Sequence, residues 1–396
     1  MSDGHAGLKA GSFTVQAQER IVFGTPADSA VVTEAVRYGA KRVFVISTGS
    51  LNRLNDGPLQ RIVRALSSHH VGTCSAIRAH SPRDDVIAAA AAARAAQADL
   101  LVAVGGGSVI DATKALQICL WHGLDGPEAM EPYRSGSAAA ARAKADIPAE
   151  PIRMIAVSTT LSASEFTPNA GVTDLQTSTK QMFSHRLCVP RSVVLDPAVT
   201  LDTPEWLLLS TGIRAVDHAV ESYCSPLANP ATEPLSLQGL RLLSQSLPRI
   251  KANPRDLEHR LEAQFGMWQA IAASAAGVGM GASHGIGYAL GASFGVPHGH
   301  TSCVMLPSVL RWNAAVNGER QRALAAAMGA PERSAADLVA ELVAGLGQPG
   351  SLRAVGIRRE NFDEIAERSM TYAPVQKNPR PIRSPADVKE ILELAW

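Results

Sequence analysis

Short β-branched or apolar runs alternate with alanine-rich stretches of helical period along the first half of the chain, the pattern of βαβ units around a parallel sheet. Residues 43–47 read as a strand, 59–69 as a helix, 76–79 as a second strand, and 82–97 as a helix capped by Ser81. Residues 100–104 form a buried strand that runs straight into Gly105, Gly106 and Gly107. The segment 124–151, rich in alanine, proline and mixed charge, reads as an excursion before a strand at 154–157. From Pro204 onward the β-branched runs stop and helical patterns take over, at 233–247, 257–277 and 319–328. The expected architecture is an α/β nucleotide-binding domain over residues 1–198, with a Rossmann-like parallel sheet, followed by an all-α domain over 199–396. An active site then belongs in the cleft between them.

The three glycines stand where a strand ends and a helix begins, so backbone N–H groups can approach an anion at the positive end of that helix. The spacing is not GxGxxG, and taken alone it equally describes a tight turn. Ser108, Asp111 and Lys114 on the following helix, and Thr159 and Thr160 after the next strand, add groups suited to phosphate or ribose. The strand at 43–47 ends on Ser47 and Thr48 with no acid to repel a 2′-phosphate, which leaves NADH and NADPH both open.

The second half carries a different constellation. Arg214 and His218 are four residues apart and leave one helical face together, and His284 and His298 follow from a glycine-rich apolar stretch. This pattern resembles the iron-containing (group III) alcohol dehydrogenase family, in which an Asp and a His four apart join two later histidines fourteen apart. His218, His284 and His298 keep those positions, and Arg214 stands where the family has its aspartate. Residues 104–115 and 158–167 are similar to the family's two nucleotide-binding motifs. The shortened second motif, the ending Asn378-Pro379-Arg380-Pro381 and the replaced aspartate resemble its maleylacetate reductase branch. The resemblance implies a dehydroquinate synthase-like fold, an NAD(P)-dependent oxidoreductase, a homodimer, and Lys180 near the cofactor ribose.

A catalytic iron or zinc wants three protein ligands and an open position. His218, His284 and His298 would supply them, but a guanidinium stays protonated and repels a divalent ion in a low-dielectric cleft, so no metal is expected. Arg214 would instead polarise a carbonyl or grip a carboxylate, with His284 or His298 giving the proton. Tyr288 stands where relatives have a further catalytic histidine and would donate a proton or pack on the nicotinamide. The plainer alternative has Arg214 paired with Asp217 and facing outward. As a shifted ligand Asp217 is poorly placed, because neighbouring helical side chains diverge by about 100°. His300 is a further imidazole beside His298, His185 and Arg186 read as a surface turn, and His69 and His70 as a helix end. The expected function is hydride transfer to a carbonyl or conjugated oxo acid. A redox-neutral reaction on the same scaffold and a catalytically inactive nucleotide binder are the alternatives.

Composition narrows the partners. With 396 residues, 46% of them hydrophobic, the chain can fill two cores. Its 37 basic and 36 acidic residues give no electrostatic case for nucleic acid or an anionic membrane, which favours a small diffusible substrate. Five scattered cysteines without a CxxC fit free thiols in a reducing compartment. Residues 1–10 lack an apolar signal core, and the alanine run at 87–96 is broken by Arg94 and too short to span a bilayer, so a cytoplasmic location is expected.

Overall fold

The computed structural model describes residues 12–137, 139, 147–177 and 179–396. The reading of residues 1–10, and the part of the 124–151 excursion at 138 and 140–146, lie outside the described residues. Eight strands are formed among the described residues: β1 (Arg20–Phe23), β2 (Val43–Ile46), β3 (His70–Cys74), β4 (Leu100–Gly105), β5 (Arg153–Ser158), β6 (Asn169–Asp174), β7 (Thr179–Ser184) and β8 (Ser192–Leu195). Six of them make one parallel sheet in the order β1-β8-β5-β4-β2-β3, and β6 and β7 form a separate antiparallel hairpin.

The interior strands are buried on both faces, as a parallel sheet sandwiched by helices requires. Val43, Val45, Val102, Val104, Ile155 and Val157 pack on one side against α1 (Ala27–Arg37) and α2 (Pro58–Leu66). Phe44, Ile46, Leu101, Ala103, Met154 and Ala156 pack on the other against α3 (Arg83–Ala95) and α4 (Gly107–Trp121). The sheet ends at Leu195, residues Pro197–Thr200 make a 3-10 turn, and long helices follow. These are α5 (Glu205–Cys224), α6 (Glu233–Ala252), α7 (Leu257–Ala273), α8 (Ala282–Phe294), α9 (His298–Ala327), α10 (Ala335–Gly345), α11 (Phe362–Ser369) and α12 (Pro385–Leu394). No helix is long and apolar enough to cross a membrane among the described residues.

Helix α5 is buried along its whole run from Leu208 to Cys224, polar residues included. Close helix crossings depend on glycine: a Cβ on Gly239 of α6 would lie 2.7 Å from Ala270 N and 2.9 Å from Gly266 O on α7. Likewise a Cβ on Gly299 would lie 2.6 Å from Ser210 Cβ, so this glycine lets the start of α9 press on α5.

Several sequence expectations need correction. The strand expected at 76–79 is irregular, and the pairing segment is His70–Cys74. This is an edge strand with little apolar alternation, and Gly72 leaves room for the Phe44 ring, whose Cε2 would be 2.7 Å from a Cβ there. Ser81 does not cap α3, which has Pro82 at its N-cap; the Ser81 hydroxyl donates to Ser108 O at 2.7 Å. The helix expected at 319–328 is the end of the longer α9, bent at Asn317. The helix expected over 257–277 leaves α geometry at Ala273 and finishes as a π turn, Ser274–Val278. The hairpin β6–β7 and strands β1 and β8 were not anticipated.

Candidate active site

The glycine loop joins β4 to α4, and its shape is set by what a side chain would strike. A Cβ on Gly105 would sit 2.6 Å from Val109 Cγ2, one on Gly106 2.8 Å from Thr160 Cγ2, and one on Gly107 3.1 Å from Ser162 Oγ. The two sequence motifs therefore interlock, β5 delivering Thr159 and Thr160 against the glycines delivered by β4. No side chain caps α4, so its first N–H groups are left for an anion.

Several neighbours have internal duties. Ser47 Oγ donates to Val104 O at 2.8 Å, and Thr48 Oγ1 accepts from Leu51 N at 3.4 Å. Ser108 Oγ accepts from His80 N at 3.0 Å, and Thr160 Oγ1 donates to Ser162 Oγ at 3.1 Å. Lys114 is fully buried, and its Nζ donates to Ser164 O at 2.6 Å and Asn169 O at 2.7 Å. Asp111 accepts from Gly171 N at 3.0 Å and from Ser164 Oγ. Asp111 and Lys114, expected to favour a phosphate, thus tie α4 to the second motif and the hairpin.

The second constellation is built on α5, α8 and α9. Arg214, Asp217, His218 and Glu221 follow one another at helical spacing along α5, all buried. Arg214 is 9% exposed and does not face outward; its Nη1 donates to Ser302 Oγ at 3.0 Å. Ser302 Oγ donates onward to Asp217 Oδ2 at 2.6 Å, and Ser283 Oγ donates to the same oxygen at 2.8 Å. Arg214 and Asp217 are therefore linked through a hydroxyl. Glu221 accepts from Gly281 N at 2.8 Å, Ser283 N at 2.7 Å and His284 N at 3.4 Å, so a carboxylate from α5 serves the free N–H groups at the start of α8. The same carboxylate lies 2.7 Å from His284 Nδ1, with Asp217 Oδ2 at 3.3 Å.

His218 and His284 have ring centroids 5.0 Å apart, and His218 Nδ1 and His284 Nε2 are buried without a hydrogen-bond partner. Tyr288 is 6.3 Å from the His284 ring, and the Arg214 guanidinium is 5.9 Å from the Tyr288 ring. His298 faces the hairpin: its Nε2 is 2.9 Å from Lys180 Nζ and its ring 6.1 Å from that of His80. Gly171 makes this reach possible, since a Cβ there would be 2.2 Å from Lys180 Cε. His300 packs against Trp206, His185 meets Trp121 edge-to-face, and His69 and His70 lie at the junction of a 3-10 turn and β3.

Electrostatics separates the three histidines. Burial and the Arg214 charge pull His284 down, but Asp217 and Glu221 outweigh them and hold its pKa above the ordinary imidazole value. Burial, then the charges of His284 and Arg214, push His218 well below it. The Lys180 charge, then burial and Arg214, do the same to His298. The Lys180 side chain as a whole is exposed, but its ammonium end sits among protein atoms, and that crowding lowers its pKa.

Among the described residues, the His, Cys, Asp and Glu ligand atoms that approach within 4.8 Å of one another belong to Asp217, Glu221 and His284, a different set from the three histidines. Those carboxylates already accept from hydroxyls and backbone N–H groups. Glu221, Ser283 and Ser302 escaped the sequence reading. Glu221 could have been found, since positions 214, 217, 218 and 221 share the i, i+3, i+4, i+7 spacing of one helical face.

Comparison with known proteins agrees with this geometry. Residues 18–197 match the iron-containing alcohol dehydrogenase family, and residues 208–396 match the C-terminal part of the Fe-containing alcohol dehydrogenase family. The chain belongs to the iron-containing alcohol dehydrogenase family. Within it, a maleylacetate reductase of Burkholderia cepacia is 32% identical, over 95% of each chain. A dehydrogenase of Gibberella moniliformis is also 32% identical, over 91% of this chain and 92% of its own. The crystal structure of maleylacetate reductase from Rhizobium sp. strain MTP-10005 superposes with a TM-score of 0.81 at 27% identity, covering 98% of this chain and 99% of that one. This family member is an NAD(P)-dependent oxidoreductase of the maleylacetate reductase branch.

Proposed function

We propose that this protein uses NADH or NADPH to reduce a carbonyl or conjugated oxo acid in the cleft between the sheet and the helical half, with Arg214 in place of a catalytic metal. The carrying observation is the Arg214 guanidinium, buried on the helical face that also presents His218 and held within one hydroxyl of Asp217. A divalent ion does not fit beside that fixed cation. Moreover, His298 Nε2 is engaged with Lys180, and Asp217 Oδ2 and Glu221 already accept from hydroxyls and backbone N–H groups, which leaves Asp217 Oδ1 and His298 Nδ1 as the buried atoms of these three residues without a partner. Iron and zinc are therefore left out of the mechanism.

The fit for a dinucleotide is better. Gly105, Gly106 and Gly107 with the uncapped start of α4 would receive the pyrophosphate, with Ser108, Thr159 and Thr160 beside it. Ser47 and Thr48 would lie toward the adenosine ribose, and Lys180 toward the cleft side. When bound, the cofactor supplies hydride. The chain does the rest: Arg214 attracts the oxygen on which negative charge develops, or a carboxylate of the substrate. His284, whose pKa Asp217 and Glu221 raise, gives a proton from its unpartnered Nε2. His218 stays neutral beside it, and Tyr288 closes the pocket near Arg214.

The same reading makes the protein a cytoplasmic homodimer acting on a small, carboxylate-bearing molecule, with neither nucleic acid nor membrane as partner. Maleylacetate is the first substrate to test, given the reductases to which the chain is similar. The experiment is NADPH and NADH oxidation by metal-stripped protein, with metal content measured by mass spectrometry, beside Arg214→Ala. Turnover without metal, lost in Arg214→Ala, is expected. Stoichiometric iron or zinc required for turnover would overturn the reading. Cofactor binding without net oxidation would favour a redox-neutral reaction or an inactive binder.

A further inference from the structure

Arginine beside a buried carboxylate ordinarily forms a two-pronged ion pair, which spends one whole edge of the guanidinium. Asp217 is three residues from Arg214 on the same helix, well placed for such a pair. The structure shows something else. Ser302 stands between them, accepting from Arg214 Nη1 at 3.0 Å and donating to Asp217 Oδ2 at 2.6 Å. Ser283 donates to the same Asp217 oxygen at 2.8 Å, so that oxygen is already supplied by two hydroxyls. The remaining Arg214 donors hydrogen-bond to no described residue and are not sealed from solvent. Gly287 lets Thr301 pack closely beside this point, since a Cβ there would be 2.9 Å from Thr301 Oγ1.

We propose that Ser302 and Asp217 are positioning residues for Arg214: the serine acts as a spacer that lets the carboxylate balance the buried cation without capturing its hydrogen-bonding fork. The inference rests on the reading that Arg214 serves the substrate. A direct pair would satisfy the charge equally well but would turn one edge of the guanidinium onto Asp217 and away from a ligand, and a lone arginine would carry the cost of burial uncompensated. The spacer keeps one Nη anchored, which limits the freedom of a long side chain, and leaves the other donors free. Helix α9 brings Ser302 to this point because Gly299, three residues earlier, allows the close approach to α5.

The test needs no substrate. The probe is 2,3-butanedione, which modifies free arginine, with the rate at Arg214 followed by peptide mass spectrometry and the exposed Arg322 as internal reference. In Ser302→Ala the fork should collapse onto Asp217, and modification of Arg214 should slow by at least about fivefold, the scale of a modest ion pair. Ser302→Cys, which keeps the shape but loses the strong hydrogen bond, should slow in the same direction and guards against misfolding of the alanine variant. The decisive arm is the double variant Ser302→Ala with Asp217→Asn, in which removal of the captor should return the rate to within about twofold of the parent. Unchanged rates in both Ser302 variants, or a double variant as slow as Ser302→Ala, would overturn the spacer. The parent reading fails separately: Arg214→Ala retaining full NADPH oxidation would refute the role of Arg214 whatever the labelling shows.

Discussion

Glu165 provides a measurable link between the cofactor loops and stability. It lies in the 3-10 turn Ser164–Phe166, directly after Ala163, a non-glycine residue at φ 65°. Its side chain is fully buried, and neither carboxyl oxygen has a hydrogen-bond partner; the nearby Ser158 hydroxyl is spent on Thr160 O at 3.0 Å. Burial therefore dominates and raises its pKa from 4.5 to about 7, opposed only weakly by polar groups that lie close without bonding it and by the Lys114 charge. For an acid whose folded pKa is raised, the unfolded chain loses its proton first, so stability falls as pH rises between those two values. At about 1.4 kcal/mol per pH unit the full penalty above neutrality is about 3 kcal/mol, a substantial part of the stability of an ordinary domain. Glu165→Gln removes the ionisation and keeps the shape. Urea unfolding of both proteins at about pH 5 and about pH 8.5 should show the variant gaining about 2.5 kcal/mol relative to the parent over that interval. Any fixed cost of the amide cancels in this difference. Parallel pH dependences for the two proteins would refute the assignment of a buried neutral acid at this position.

Other outcomes follow from the same geometry. Glu221→Gln should cost about 1–3 kcal/mol in thermal or urea unfolding, because one oxygen must now serve N–H groups that two served before. With that carboxylate gone His284 loses a group that raises its pKa, so the fall of kcat/KM on the alkaline side should move to lower pH. Gly106→Ala pushes a methyl to 2.8 Å from Thr160 Cγ2 and should weaken NADPH binding about tenfold, about 1.4 kcal/mol, read by fluorescence titration. Arg214→Asp should bring zinc or iron into the protein by mass spectrometry, and unchanged metal content would remove position 214 from the argument against a metal.

The βαβ half was legible because a strand buried on both faces announces itself as an uninterrupted apolar run, as in Leu100–Gly105. Strand β3 was misplaced because an edge strand carries no such mark, and β6–β7 went unanticipated because its partly exposed residues form no such run. At the site, Arg214, His218, His284 and His298 were found by spacing, while the groups that decide their chemistry were not. Asp217 was set aside because it diverges from His218 around the helix, an argument that assumes an outward face. Helix α5 has none from Leu208 to Cys224, so a polar side chain on any side must find a partner. Those partners, Ser283 and Ser302, lie 66 and 85 residues away and have no local signature. Once they are in place the charges close: Arg214 and a protonated His284 stand against the carboxylates of Asp217 and Glu221. A divalent ion bound to His284 would displace its proton and still leave one positive charge uncompensated in a buried cleft, whereas the free edge of Arg214 offers donors to a carbonyl or carboxylate oxygen. This arrangement supports a substrate that presents an oxygen to Arg214.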